Sequence, residues 1–88
     1  MKKVLVTGGT AFVSRYIAEY YVGKRYDVSV LNRNTKKQSD GVRLIEADRY
    51  HLGDRLRDLH FDVVIDTGYT AKEVELLLDA LGSYENYV

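Results

Sequence analysis

The chain has 88 residues, 45% of them hydrophobic, which suffices for one small core with a narrow margin of stability. Its 13 basic and 13 acidic side chains balance, so composition favours neither a nucleic-acid partner nor an acidic membrane surface. It has no cysteine for disulfides or thiolate chemistry, no signal-peptide pattern at Met1 to Val4 and no apolar run near the roughly 20 residues of a membrane helix, so we expect a cytoplasmic protein.

Strand and helix patterns alternate along the first half of the chain. Lys3 to Thr7 is a continuous apolar run, as expected of a strand that is covered on both faces of a parallel sheet. A helix follows from Phe12, and we expect Gly23 to cap its end. Asp27 to Asn32 and Val42 to Ala47 read as strands two and three, joined by the polar loop NRNTKKQSDG, which shows no helical periodicity. The apolar stripe of the helix, expected in the core, comprises Phe12, Val13, Tyr16, Ile17, Tyr20 and Tyr21.

The second half continues the same alternation. Leu52, Leu56 and Leu59 have the spacing of a short helix, and Phe61 to Thr67 is the most hydrophobic strand after the first. Right-handed crossovers between these strands predict a doubly wound parallel α/β sheet of order 3-2-1-4, with a ligand crevice at the carboxyl ends of strands one and four. The last helix carries Val74, Leu77, Leu78 and Leu81.

The segment Tyr84 to Val88 resembles the beginning of a fifth strand. We therefore expect the chain to be the amino-terminal portion of a longer protein, with its catalytic half elsewhere. The outer edge of strand four would then be open, and we expect the chain either to self-associate through that edge or to fold only marginally alone. The stub itself is expected to be partly ordered against strand four, with Tyr87 turned toward the last helix.

The turn after the first strand has the layout of a dinucleotide-binding fingerprint. In that fingerprint the first glycine makes the tight turn, the second admits the pyrophosphate, and the third allows close packing of helix on strand. Gly8 stands at the first position, Ala11 adds one methyl group at the second, and Ser14 stands at the third. The amides that begin the helix favour an anion. The alternative is a plain strand–helix turn that binds no nucleotide.

Four segments in this order resemble a known family over nearly the whole chain: VLVTGGTAFVSRYIAEYYV, YDVSVLNRN, VRLIEADR and FDVVIDTGYTAKEVELLLDAL. They are similar to the amino-terminal part of extended or atypical short-chain dehydrogenase/reductases, in the branch of NAD(P)-dependent nucleotide-sugar epimerase/dehydratases and isoflavone-reductase-like proteins. The resemblance implies one Rossmann-type NAD(P)-binding domain over residues 1–88, belonging to an oxidoreductase, epimerase or dehydratase. A non-catalytic NAD(P)-sensing module of the same fold remains the alternative.

The resemblance also implies which residues contact the cofactor. The implied positions are Gly8, Thr10, Ala11, Phe12 and Val13 at the pyrophosphate, Asn32 and Arg33 at the adenosine ribose, Asp48 and Arg49 beside the adenine, and Thr67, Gly68 and Tyr69 near the second ribose.

The end of strand two bears on the choice of cofactor. An acidic residue there accepts hydrogen bonds from a ribose 2′-hydroxyl and repels a 2′-phosphate. This chain has the uncharged Asn32 instead, followed by Arg33, Lys36 and Lys37, which offer cations to a phosphate. The pattern favours NADP over NAD. The alternative is that Arg33 stacks on the adenine or lies in solvent.

Other candidate residues predict no chemistry. Tyr20 and Lys24 reproduce the Tyr-x-x-x-Lys spacing of the family's catalytic pair, but Gly23 interrupts the helix between them, and we expect Tyr20 to be a core residue. His51 and His60 have no neighbouring ligand set in the sequence, which favours surface roles. We therefore expect neither a catalytic residue nor a metal site in this chain.

Overall fold

The computed structural model of the protein describes residues 1–8, 12–67 and 70–88. Its strands form one five-stranded sheet in the order β3-β2-β1-β4-β5, and every described pairing is parallel. This confirms the predicted doubly wound α/β fold of Rossmann type. None of the described helices combines the length and apolarity needed to cross a membrane. The elements are β1 (Lys3–Thr7), α1 (Phe12–Gly23), β2 (Asp27–Asn32), β3 (Arg43–Glu46), β4 (His60–Ile65), α2 (Ala71–Ala80) and β5 (Ser83–Tyr87).

Both faces of the sheet carry a hydrophobic core, because successive side chains of a strand point to opposite faces. Val4 and Val6 of β1 pack on one face in a cluster that includes Ala18 of α1. Leu5, between them, packs on the other face in a cluster that includes Leu77 of α2. All five side chains are fully buried, and burial of a Val or Leu side chain contributes about 1.5–3 kcal/mol. The continuous apolar run of β1 thus follows from its central place.

The strand register brings the carboxyl ends of β1, β2 and β4 to the same end of the sheet. Thr7 of β1 lies beside Leu31 of β2, and Val6 lies beside Ile65 of β4. The residues that follow these strands therefore leave the sheet side by side. The link from β2 to β3 contains no helix, as its sequence predicts.

The predicted helix between β3 and β4 is wrong. This segment consists of turns, with backbone hydrogen bonds that span three residues, such as the one from Leu59 N to Leu56 O at 3.2 Å. Gly53 interrupts any helix with a left-handed backbone at φ +58°. Leu52 and Leu56 are nevertheless buried, because the turns lie against the same core as α2. The apolar spacing predicted burial correctly and local structure incorrectly.

The end of α1 differs from the expectation that Gly23 caps it. Gly23 is the last helical residue, and Arg25 adopts the left-handed conformation at φ 65°. The amide of Arg25 donates to Val22 O and that of Tyr26 to Tyr21 O, both at 3.0 Å. The rings of Tyr21 and Tyr26 lie 5.2 Å apart. This is a Schellman motif with its usual hydrophobic contact, formed two residues beyond Gly23.

The buried face of α1 is not the aromatic stripe. Ser14 and Ala18 are buried, and Ile17 and Tyr21 are partly buried beside them. These small residues let the helix lie close to the sheet. Tyr20 is half exposed rather than a core residue, and packs edge-on against Tyr21 with ring centroids 5.3 Å apart. The exposed part of the predicted stripe is Phe12 (94%), Val13 (63%), Tyr16 (73%) and Tyr20 (51%).

The carboxy-terminal segment forms a complete edge strand. Ser83 pairs with His60 at the start of β5, and Tyr87 pairs with Val64 near its end. The expectation of an open edge on strand four is therefore wrong, and β5 occupies the surface through which self-association was predicted. Tyr87 packs against the core cluster that contains Leu77 of α2, which confirms the predicted orientation of its side chain.

Gly82 provides a test of how the turns before β4 pack against the α2–β5 connection. A Cβ atom on Gly82 would collide with the backbone carbonyl of Arg57. We expect Gly82→Ala to lower the free energy of unfolding by about 1–3 kcal/mol. Gly23→Ala is the matched control: a Cβ there meets nothing, and we expect a gain of about 0.5–1 kcal/mol. Urea denaturation of both variants checks this, and an undiminished stability of Gly82→Ala would contradict the packing.

Candidate functional site

A cleft of about 440 Å³ opens where the strands end at their carboxyl side. This volume lies within the roughly 300–1,000 Å³ of small-molecule sites. Thr35, Tyr50 and Glu73 also line the cleft, although no sequence pattern predicted them. Thr35 and Tyr50 follow the ends of β2 and β3 by a few residues, and that position was the available signal, whereas Glu73 lies in the first turn of α2. The predicted site residues that the structure brings together in the cleft are Gly8, Asn32, Arg33, Asp48, Arg49 and Thr67.

The remaining predicted positions do not line this cleft in the described structure. Phe12 and Val13 border a separate, shallow surface on α1 together with Tyr16. Thr10, Ala11, Gly68 and Tyr69 lie outside the described residues.

Gly8 makes the turn that ends β1, and its backbone requires glycine. Its φ is +88°, and a Cβ there would lie 3.0 Å from Ser14 Oγ and 3.4 Å from Thr67 Oγ1. Its amide donates to Leu31 O at 2.7 Å, which continues the pairing of β1 with β2. Ser14, the residue in place of the third glycine, is 4% exposed against this turn. The first glycine and a small residue at the third position therefore retain their packing roles.

Asn32 holds the turn at Gly8 to the loop that follows β2. Its Nδ2 donates to Gly8 O and, at 3.0 Å, to Gln38 Oε1. Its Oδ1 accepts from Asn34 N at 2.8 Å and from Gln38 Nε2 at 3.1 Å. An amide has two donor hydrogens and one acceptor oxygen with two lone pairs, so these four bonds use its full capacity. The side chain of Asn32 thus forms a structural joint between the turn at Gly8 and the loop after β2.

Asp66, at the end of β4, bonds to residues that line the cleft. Its side chain is 2% exposed and forms a two-pronged ion pair with Arg49, with nitrogen–oxygen distances of 2.6 and 2.7 Å. Arg49 also donates to the Glu73 carbonyl from Nε at 3.1 Å and from a terminal nitrogen at 2.8 Å. The resemblance implies Arg49 as an adenine neighbour. The structure places it in the cleft wall with most of its donors already committed.

Two hydroxyl groups also donate to Asp66. Thr7 Oγ1 donates to it at 3.0 Å, and the phenol of Tyr87 donates to its other oxygen. Burial, followed by the hydrogen bond to Asp66, raises the pKa of Tyr87 from 10.0 to about 12. Thr67 joins the same region, since its amide donates to Thr7 Oγ1 and its hydroxyl to Thr7 O, both at 2.8 Å. The ends of β1, β4 and β5 are thereby fixed to one another.

Arg33, unlike Arg49, has no hydrogen-bond or ion-pair partner among the described residues. It is exposed at the cleft, and the described parts of the chain supply it with neither a hydrogen bond nor an ion pair. Lys36 and Lys37 are exposed in the same loop. Across the cleft, the phenol of Tyr50 donates to Glu73 Oε1 at 3.1 Å. The cleft lining thus includes an aromatic ring and a guanidinium group that has no bonded partner among the described residues.

The fold and the cleft together define a class of protein. A Rossmann-type sheet with a glycine turn at the end of β1 and a polar cleft at the strand ends is typical of dinucleotide-binding domains. The model of the NAD dependent epimerase/dehydratase family matches residues 4–80, and the chain belongs to this family. It carries the Rossmann NAD(P)-binding part of such an enzyme. A comparison with curated proteins finds no match.

The other end of the sheet holds a cluster that the sequence analysis missed. His60, Asp62 and Glu85 bring potential metal-ligand atoms within 4.8 Å of one another, contrary to the expectation that His60 has no such neighbours. Asp62 already accepts a hydrogen bond from Lys3 N at 2.7 Å, and this bond holds the pKa of Asp62 below its usual range. The signal was the parallel pairing of β4 with β5, which aligns these residues.

The Tyr-x-x-x-Lys spacing on α1 forms no catalytic arrangement in this structure. Lys24 Nζ lies 5.6 Å from the centre of the Tyr20 ring, as in a cation–π contact. Neither residue lines the cleft. The spacing therefore reflects a surface contact at the end of α1.

The raised pKa of Tyr87 predicts how stability depends on pH. A group whose pKa is higher in the folded state adds stability below its unfolded pKa of about 10, and this contribution disappears as pH rises to about 12. Tyr87→Phe should therefore unfold about 1–2 kcal/mol more easily at pH 7, with a difference from wild type that shrinks above pH 10. Denaturant titrations from pH 7 to 12 measure this. Tyr84→Phe, on the same strand and more exposed, is the control, and a difference independent of pH would contradict the assignment.

The bonding of Asn32 predicts that an acid is poorly tolerated at this position. A carboxylate cannot donate to Gly8 O, so Asn32→Asp would place two acceptor oxygens against each other. We expect a loss of about 1–3 kcal/mol in the free energy of unfolding at neutral pH. Asn32→Ala removes the same bonds without adding an opposing oxygen, and we expect it to be no less stable than Asn32→Asp. Wild-type stability of Asn32→Asp would show that the joint is unimportant.

Proposed function

We propose that the cleft binds NADP in preference to NAD, as the cofactor-binding part of an epimerase, dehydratase or reductase. The observation that carries this proposal is Arg33, an exposed cation with no bonded partner among the described residues, beside the uncharged Asn32 at the end of β2. A 2′-phosphate is an anion for which a guanidinium offers matching donors. The neutral amide at the preceding residue presents no charge to repel it.

The cleft also fits the rest of a dinucleotide. Gly8, with its positive φ, makes the tight turn at the end of β1, where this fold places the pyrophosphate. Tyr50 offers an aromatic face at the cleft, suited to stacking against a nucleobase. A nicotinamide cofactor supplies hydride transfer when it is bound. The role of these residues is to bind and orient it.

Catalysis, on this proposal, depends on groups outside this chain. Tyr20 and Lys24 are the only residues of the sequence with Tyr-x-x-x-Lys spacing, and neither lines the cleft. The described cleft therefore has the parts of a binding site and lacks that proton-transferring pair. Reduction, epimerisation and dehydration all begin from such a bound cofactor in this family.

The test compares the affinities for NADP and NAD by calorimetry. We expect wild type to bind NADP at least about tenfold more tightly, since a charge-assisted hydrogen bond contributes about 1–3 kcal/mol. Arg33→Ala should remove most of that preference and leave NAD affinity nearly unchanged. Arg43→Ala removes the same charge from the opposite end of the sheet and should preserve the preference. Equal affinity of wild type for the two cofactors would overturn the proposal.

A further inference from the structure

One side chain, that of Gln38, organises the loop that carries Arg33. Its Nε2 lies within hydrogen-bond distance of three acceptors, which share its two hydrogens: Asn32 Oδ1 at 3.1 Å, Asn34 Oδ1 at 3.3 Å and Lys36 O at 3.1 Å. Its Oε1 accepts from Asn32 Nδ2 at 3.0 Å. Gln38 thus contacts three points of the loop, while it does not line the cleft itself.

The bonds of Gln38 lie on both sides of Arg33. Asn32, before it, is fixed to Gly8 and to Gln38. Asn34, after it, has a left-handed backbone at φ 59°, a conformation that Asn tolerates better than most residues. The Asn34 amide donates to Asn32 Oδ1 at 2.8 Å, which closes a tight turn around Arg33. The backbone of Arg33 is therefore held although its guanidinium is not.

We propose that Gln38 is a positioning residue for cofactor discrimination, which acts by holding the turn that directs Arg33 toward a 2′-phosphate at the mouth of the cleft. This inference rests on the proposed function. A charge-assisted bond from a guanidinium to a phosphate depends on geometry, and a turn that is already ordered does not lose further conformational freedom on binding. Without Gln38 the charge of Arg33 remains, but its direction is no longer fixed.

The loop has a second anchor, which allows a matched control. Ser39 is 7% exposed, and its hydroxyl donates to Glu19 Oε2 on α1 at 2.8 Å. This bond ties the far end of the loop to the helix and makes no contact with the turn at Arg33. Loss of the Ser39 anchor should weaken the fold without altering the direction of Arg33.

The experiment measures NADP and NAD binding by the full chain in three forms: wild type, Gln38→Met and Ser39→Ala. Methionine keeps the length of the side chain and removes its hydrogen bonds. We expect the preference for NADP to fall from about tenfold or more to about threefold or less in Gln38→Met, with NAD affinity within about twofold of wild type. Ser39→Ala should lower the melting temperature and keep the wild-type preference.

A ligand-free measurement accompanies the titrations. The ¹⁵N–¹H heteronuclear NOE of the Arg33 amide should fall in Gln38→Met and stay at its wild-type value in Ser39→Ala, because only the first variant frees the turn. If Gln38→Met does not fold, Gln38→Asn, which keeps the amide but withdraws it by one methylene group, gives the same comparison.

The outcomes separate this inference from the proposed function. Absence of a preference in wild type would overturn both. A preference in wild type that survives unchanged in Gln38→Met would overturn the positioning role and leave the proposed function intact. Equal losses of NADP and NAD affinity in Gln38→Met would show a merely structural role and would also overturn the inference.

Discussion

The buried carboxylate of Asp66 is the constraint on which the architecture of the cleft depends. The side chain of Asp66 is 2% exposed, and burial of a charge destabilises a fold unless the charge is paired and hydrogen-bonded. Arg49 supplies this pairing through two nitrogen–oxygen contacts. Thr7 and Tyr87 add hydroxyl donors from β1 and β5. Removing one partner from such a pair typically costs about 3–5 kcal/mol, so these segments keep one arrangement. Asp66 therefore fixes where four parts of the chain meet.

Arg49 and Arg33 have different roles in this arrangement. The side chain of Arg49 is 16% exposed and donates its hydrogen bonds to Asp66 and to the Glu73 carbonyl, so Arg49 has a structural role in the wall of the cleft. Arg33 forms no hydrogen bond or ion pair with the described residues and is exposed at the cleft. A similar separation holds for the two amides of the loop, since Asn32 and Gln38 satisfy each other. In the described part of the site, Asn32 bonds to Gln38 and Arg49 bonds to Asp66, whereas the guanidinium group of Arg33 has no such partner.

Local pattern predicted the strands well and the surroundings of the helices less well. The observed bounds of β1 and β2 match the predicted ones. For β1 the reason is that a continuous apolar run suits a strand that is covered on both faces of a parallel sheet. On α1 the aromatic stripe dominated the pattern, yet the close contact with the sheet needed the small side chains of Ser14 and Ala18. The spacing of Leu52 and Leu56 reported burial, whereas Gly53 decided that the backbone forms turns.

Part of the candidate site was also predicted from the sequence. Gly8 was identified from the glycine fingerprint, and Asn32 and Arg33 from the family resemblance. The register of β1 with β2 brings these residues together in the cleft. Tyr50, Glu73 and Gln38 were missed because their roles arise from contacts between segments far apart in the chain or across a loop turn.

The sequence by itself determined the fold class, the order of the strands, the glycine turn and the uncharged position at the end of β2. These features follow from local composition and from the few topologies that connect parallel strands. Only the tertiary structure decided which face of α1 is buried, that β5 covers β4, and which arginine is committed. Those outcomes depend on the residues that each side chain contacts in the folded chain. Whether the hydrogen-bonding groups of a polar side chain are already bonded can be known only once those contacts are known.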